Sequence, residues 1–408
     1  MIRTTLVIAV LAPLVASAAT FEVQPKRYRV GPNPVSVALA DLNDDGLIDV
    51  LVANRGPLRD IRDEHPAAEN LSYLVGREDG GFDSQPPLPC GFGPYQVVVV
   101  NIDALRAPDI VVANFLAVRN RDLTLLRNLD AAVFEPHHFS APDDALRYTQ
   151  MRDSEGQPTF STPGLTAVAV ADVNGDGYRD SLATGWSSDV IVQFPGHPEK
   201  YFSEPIITAL AGGPRDLVLE DLDGDGTLDM AVTLYNSDEI AILKGSAKGE
   251  FDLVGKFSSR GKMPQHIRVA DVNGDRRRDL VVSHAQTSDS IVIFYGDGEF
   301  RFEMAQEIRL GADPFQREIG VEDLILRDFN ADDKTDIALA CSDAGAVILL
   351  RNAADGKSLP LRFEKEVFPF EGSAPHALAA GDLTRDGKPD LVVALWGADS
   401  VGLLISQP

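Results

Sequence analysis

Short apolar runs alternate with polar punctuation along this chain, and the alternation repeats. An apolar run, commonly preceded by G-x-x-P or a close variant, leads into D-x-[DN]-x-D-G-x-x-D, and the last aspartate opens a second apolar run, as at 50–53 and 280–283. A third run, rich in β-branched and large apolar residues, follows at 71–75, 123–126, 190–194, 240–243, 290–294, 347–350 and 401–405. A turn ending in an aromatic comes next, as in Gly80-Gly81-Phe82 and Gly298-Glu299-Phe300, and a fourth run returns to the next G-x-x-P. Runs of this length bounded by Gly, Pro and Asx residues predict strands, and the tight turns predict antiparallel pairing.

The polar motifs begin at 41, 101, 172, 221, 271, 328 and 382, giving seven units. Four short antiparallel strands in each of seven units predict an all-β, seven-bladed β-propeller. A β-solenoid is the competing architecture, but a period near fifty residues is too long for its coil. The last unit stops after its third strand, while residues 21–30 precede the first unit, so that segment is expected to supply the missing fourth strand and protect the edge of the last blade. Insertions at 54–70, 115–121 and 135–163 lengthen connections in the first three units.

The amino-terminal residues stand apart. Arg3, an apolar stretch over 4–15 and Ala16-Ser17-Ala18 have the form of a secretory signal, with cleavage near Ala18 leaving a single domain over 19–408. The apolar stretch falls short of the roughly 18 to 20 residues of a membrane span, so a secreted or periplasmic protein without a span is expected. The balance of 62 acidic against 37 basic residues, a formal charge of -25, argues against nucleic acid or an anionic membrane as a partner. Two cysteines, Cys90 and Cys341, lie in distant units and are expected to be free thiols; no Cys/His cluster suggests zinc or haem.

The polar motifs carry the candidate chemistry. Three are complete: Asp41, Asn43, Asp45, Asp49; Asp172, Asn174, Asp176, Asp180; and Asp221, Asp223, Asp225, Asp229. Three are nearly so: Asp271, Asn273, Asp275, Asp279 with Arg276 at the glycine position; Asp328, Asn330, Asp332, Asp336 with Asp333 there; and Asp382, Thr384, Asp386, Asp390. A worn seventh keeps Asn101, Asp103 and Asp109 but has Leu105 at the fifth position. Oxygen side chains at positions 1, 3, 5 and 9 around a tight turn can converge on one hard cation. The lack of His and Cys in the loops favours Ca2+, about four to six per chain, over transition metals. The alternative is a set of plain Asx turns, which six copies in register argue against. An EF-hand is excluded because position 12 is apolar, as at Val52 and Val232. The Asp221 loop is expected to bind most tightly, the Asp271 loop to be weakened by Arg276, the Asp382 loop to gain only a hydroxyl from Thr384, and the Asn101 loop to be empty.

These motifs resemble the FG-GAP/VCBS repeat family, whose members include the amino-terminal propeller of α-integrins. The resemblance covers essentially the whole chain after the signal. It implies Ca2+ ligands at positions 1, 3, 5 and 9 of the six loops. It also implies recognition of a protein or carbohydrate ligand on the face opposite the ions, by a monomer. The chain has no counterpart of integrin legs, which sets integrin-type signalling aside and leaves a secreted interaction or adhesion module. A passive envelope scaffold is a third possibility. Strand parity independently assigns the long insertions to the end of the blades away from the loops, where binding commonly resides.

Tyr95, Gln96, Arg215, Asp216, Gln265, His266, Glu322, Asp323 and His376, at the start of first strands, are expected to line the axis, either as a ligand ring or as solvating and strand-capping groups. Trp186 and Trp396 are candidates either for stacking on a sugar or for burial. No HExxH or G-x-S-x-G motif is present, and 355–358 is an incomplete phosphate loop. A binding module is therefore favoured over an enzyme, with a calcium-dependent polysaccharide lyase or hydrolase as the alternative.

Overall fold

Seven strands, each opened by the last aspartate of a polar motif, form the middle of the sheets: Asp49–Asn54, Asp109–Asn114, Asp180–Gly185, Asp229–Leu234, Asp279–His284, Asp336–Cys341 and Asp390–Leu395. Every residue in them is buried. Their sequences are continuously apolar rather than alternating because both faces of the sheet are covered. The computed structural model describes residues 5–9, 20–56, 69–103, 105, 107–115, 121–142, 145–146, 151–152, 158–159, 164–285, 289–311, 319–354 and 359–407.

Each middle strand pairs antiparallel with a first and a third strand, and the third pairs with a fourth, giving the order 1-2-3-4 seven times. The chain is all-β, with seven blades arranged as a β-propeller, as the repeat predicts. Outer strands show the alternation of a half-exposed edge, as in Phe251–Ser258. Blade 1 departs from the pattern, since its fourth strand is split into Phe82–Ser84 and Leu88–Pro89.

The chain divides into two compact units. One comprises Tyr28–Leu217, with blades 1 to 3; the other comprises Val218–Pro408 together with Met1–Arg27, with blades 4 to 7. In the first, Val111, Leu123 and Leu125 of blade 2 pack on Val168, Ala183 and Val192 of blade 3. In the second, Ile291, Ile293 and Ile308 of blade 5 pack on Leu324, Leu339 and Ile348 of blade 6, and Val347 and Phe368 of blade 6 pack on Leu391 and Leu404 of blade 7. The core thus lies between blades, which is why a single unit of the repeat has no core of its own.

Blade 7 is completed from the amino-terminal side. Phe21–Val23 pairs antiparallel with Ser400–Ser406, matching Phe21 with Ser406 and Val23 with Leu404, and the Phe21 ring meets Phe329 and Phe368 edge-on at 5.6 Å. Within the expected signal segment, Thr5–Ala9 pairs in parallel with Met304–Arg309 along the outer edge of blade 5; most of that segment lies outside the described residues. So do most of 54–70, 115–121 and the later part of 135–163, and all of 355–358. Cys90 and Cys341 are free and buried.

In blades 1, 2 and 5 the glycine of G-x-x-P has a packing role, whereas a Cβ on Gly372 of blade 7 would meet nothing within 4 Å. A Cβ on Gly31, Gly91 or Gly261 would meet the last side chain of the middle strand, Asn54, Asn114 or His284, at 2.6, 2.4 and 2.4 Å. Asn54 donates to Ser72 Oγ and Asn114 to Thr124 Oγ1, the hydroxyls that also accept the Gly31 and Gly91 amides. In blade 5 the ring of His284 takes that place, with Nε2 donating to the Ser259 carbonyl at 3.0 Å.

Burial lowers the His284 pKa to about 4, against smaller opposing effects of the Ser259 bond and of Asp238, itself paired with Lys262. The imidazole is neutral in the fold, so its contribution to stability is complete above pH ~6.5 and lost as pH falls toward 4, about 3 kcal/mol across that window. His284→Asn, which installs the residue blades 1 and 2 use, is expected to flatten the stability profile between pH 6.5 and 4; urea denaturation across that range checks it.

Candidate carboxylate-loop sites

The motifs form the connections between the first and second strands of the blades, and in six of them the backbone is set by two left-handed residues. Position 4 has φ of 59°, 71°, 79°, 75°, 60° and 59° at Asp44, Gly175, Gly224, Gly274, Ala331 and Arg385. Position 6 has φ of 82°, 89°, 87°, 72°, 63° and 83° at Gly46, Gly177, Gly226, Arg276, Asp333 and Gly387. This winding turns the position-5 and position-6 amides onto the first aspartate. Asp45 N donates to Asp41 Oδ1 at 3.1 Å and Gly46 N to Asp41 Oδ2 at 2.7 Å, and the same pair of bonds recurs at Asp172, Asp221, Asp271, Asp328 and Asp382. The position-5 carboxylate accepts the position-7 amide in all six loops, fixing its inward direction.

Asp221, Asp223 and Asp225 each bring a carboxylate oxygen within 4.8 Å of the others. An oxygen-only donor set of this kind, without nitrogen or sulfur, fits a hard divalent cation. In blades 1, 3 and 5 the third position is Asn43, Asn174 or Asn273, whose amide nitrogen donates to Oδ2 of the fifth-position aspartate at 2.9, 3.0 and 3.2 Å. In blade 4, where Asp223 replaces asparagine, the Lys244 ammonium bonds both Asp223 and Asp225, the latter at 2.7 Å. Lys244 holds the Asp225 carboxyl below its ordinary range, and the two aspartates raise the lysine in turn. In blade 7 the Thr384 hydroxyl turns to Asp390 Oδ2 at 3.4 Å.

Position 9 is placed differently from the other three. Asp49, Asp109, Asp180, Asp229, Asp279, Asp336 and Asp390 are all 0% exposed. One oxygen accepts the amide of position 2 (Leu42, Ile102, Val173, Leu222, Val272, Phe329 or Leu383) at 2.8 to 3.1 Å. The other accepts an amide within two residues of the end of the third strand, from Gly76, Asn128, Gly196, Gly245, Gly296, Asn352 or Ser406, at 2.6 to 3.0 Å. Burial pushes Asp279 up to about 7 and Asp336 up to about 6, against the pull of these amides. The same opposition raises Asp49, Asp109, Asp180 and Asp229.

The structure therefore gathers positions 1, 3 and 5 into a loop and sets position 9 behind them as a tie between strands. Blade 2 shows that the tie does not need carboxylates at positions 1 and 5: Asp109 keeps both bonds although Asn101 and Leu105 stand there. There Arg127 Nε donates to Asp103 Oδ2 at 2.7 Å.

The residues at the start of the first strands tie neighbouring blades within each unit. Gln96 accepts the Val168 amide, and Asp323 accepts the Leu378 amide at 3.0 Å and the Arg268 guanidinium at 3.1 Å. Arg215 lies 4.8 Å from the Tyr95 ring centre and 5.6 Å from that of Trp186. Trp396 stacks on His376 at 5.0 Å. The Glu322 carboxylate accepts from Gln265 at 2.8 Å and Ser342 at 3.0 Å, with His376 Nε2 3.8 Å away. Burial opposes its charge, but His376, Gln265, Ser342 and His266 together hold the carboxyl below its ordinary range.

Seven blades with Asx-rich loops at one end define a repeat propeller. Residues 172–232, 221–282 and 328–393 match the FG-GAP-like repeat, and the chain is accordingly a β-propeller carrying FG-GAP-like repeats. Among solved structures it is similar to BBS1N, determined in complex with ARL6DN, with a TM-score of 0.60 and 14% identity, covering 95% of this chain and 98% of that one. Virginiamycin B lyase from Staphylococcus aureus gives a TM-score of 0.58 at 12% identity, covering 95% and 100%. A putative 6-phosphogluconolactonase from Bacteroides uniformis gives 0.55 at 16%, covering 83% and 87%. At these identities the likeness is one of fold. No curated protein sequence matches the chain.

Two outcomes follow from the loop geometry. Asp109→Ala strands the buried amide of Asn128 and the part-buried amide of Ile102 and is expected to cost about 3 kcal/mol, equally with calcium and with EDTA, in chemical denaturation. Arg276 holds φ of 72°, where a side chain is strained, so Arg276→Gly is expected to raise stability by about 0.5–1 kcal/mol in the same assay.

Proposed function

We propose that the chain is a secreted, calcium-stabilised propeller module that recognises a protein or glycan through the blade ends away from its carboxylate loops. The observation that carries the reading is the convergence of Asp221, Asp223 and Asp225, with the same first- and fifth-position folding in five further loops. Positions 1, 3 and 5 would hold each ion, with the position-9 aspartate behind them as the fourth ligand position of the motif, and Ca2+ would supply the positive charge that offsets crowded carboxylates and cross-links the turn. Extracellular calcium is high enough to fill weak sites with Kd of about 10⁻⁴ to 10⁻³ M. The signal-like composition of residues 1–18 supports secretion.

Partner recognition is supported by the fold's use in the BBS1N complex and by aromatic groups at the blade ends away from the loops. Trp186 and Trp396 open short turns directly after middle strands, both partly exposed, with Arg215 beside one and His376 beside the other. A second reading, a lyase or hydrolase, draws on the Glu322 and His376 pair, the arrangement an acid/base step uses. Glu322 is already engaged by Gln265 and Ser342, so the binding reading is preferred.

The test is thermal unfolding of the chain in calcium, magnesium and EDTA, with bound calcium counted by elemental analysis. A calcium-specific rise in Tm with about four to six ions per chain is expected. Asp45→Asn is expected to remove one ion and part of the calcium-dependent rise while leaving the Tm in EDTA unchanged. No bound calcium and no shift would return the loops to plain Asx turns.

A further inference from the structure

Resting on the reading of the loops as calcium sites, we propose that Lys244 is a built-in competitor for the ion. The Asp221 loop, richest in carboxylates, then fills last among the complete loops rather than first.

The placement of Lys244 is dictated by the strand tie. It directly precedes Gly245, whose amide closes on Asp229, and that offset brings its side chain over the loop. Arg127 has the same offset in blade 2, directly before Asn128, and its guanidinium bonds Asp103 in the loop that lacks a fifth-position carboxylate. A side-chain cation from the third strand thus reaches the loop in two blades. Blade 6 also has a basic residue at this offset, but Glu364 and Glu366 on the fourth strand hold Arg351 at 3.0 and 2.6 Å. Blades 1, 3, 5 and 7 have Val75, Pro195, Tyr295 and Ile405, which carry no positive charge.

Charge accounting within blade 4 points the same way. Where the other complete loops have an asparagine whose amide donates to the fifth-position carboxylate, Asp223 brings a negative charge and no donor. Lys244 supplies both the missing donor and the missing charge, bridging Asp223 and Asp225 with its ammonium 5.1 Å from the Phe300 ring centre. Two of the oxygens that would face the ion are therefore engaged by an ammonium, and Ca2+ has to displace it. Lys334, at position 7 of the blade 6 loop, reaches only Asp332, at 3.6 Å. Lys244 is partly exposed, so it can leave into water, and exchange of a monovalent for a divalent cation remains open at high calcium.

Calorimetric calcium titration of the full chain, wild type against Lys244→Met and Lys244→Gln, tests this, alongside melting in EDTA. Removal of the ammonium is expected to strengthen one site on the order of tenfold or more, without changing the others. Adding Asp225→Asn to Lys244→Met is expected to abolish that strengthened site. In EDTA both lysine variants are expected to melt below wild type, because Asp223 and Asp225 then face each other without a counter-ion. Folded variants that bind calcium with wild-type affinity at every site overturn this inference alone and leave the calcium reading standing. Absence of calcium binding in wild type and variants alike overturns both.

Discussion

A buried carboxylate that accepts two backbone amides is the interaction on which every blade depends. The position-9 aspartate joins the loop after the first strand to the far end of the third, so three stretches of chain meet on one side chain at the start of the middle strand. Full burial makes the charge costly, and the two amides offset part of that cost. The loop is consequently anchored at its second residue whatever its other carboxylates hold. An ion held by the loop would act on a turn whose ends are already fixed.

The repeat was legible because seven copies share a spacing and because apolar runs of strand length are hard to read otherwise. The amino-terminal strand of blade 7 was legible for the same reason: a unit short of one strand and a spare segment were both visible. The separate standing of position 9 was not. Sequence shows an aspartate at the end of a ligand-like motif, and nothing in its type reveals that Leu222 and Gly245 direct amides at it. The signal was in blade 2, where Leu105 stands in place of the fifth-position carboxylate while Asp109 keeps its register. Lys244 was equally hidden, since the motif covers only the loop and the lysine comes from the third strand. Its counterpart Arg127, one residue ahead of the same tie, was the available clue.

In sequence the G-x-x-P glycine only marks the repeat, and in blades 1, 2 and 5 the structure gives it a cause. It leaves room for a polar side chain that ends the middle strand, and that side chain changes from Asn54 and Asn114 to His284 without altering the arrangement. The residues expected to line the axis divide between tying blades together, as Gln96 and Asp323 do, and forming polar and aromatic clusters, as Arg215 and Glu322 do. Sequence position alone does not separate these uses, because side chains near the start of a first strand can reach a neighbouring blade or the groups around them.

The pairing of Phe21–Val23 with Ser400–Ser406 bears on the order of events during synthesis. A chain made from its amino end carries Phe21 through the assembly of nearly everything else before its partner strand exists, so an early strand is among the last to be placed. Contacts of such long sequence separation form slowly, and until they do the third strand of blade 7 presents an open edge. The segment is also tethered by Thr20, which donates its amide and its hydroxyl to Glu366 at 2.8 Å. Two short elements far apart in sequence therefore complete blade 7 together, and its third strand remains open to pairing with other copies until they meet.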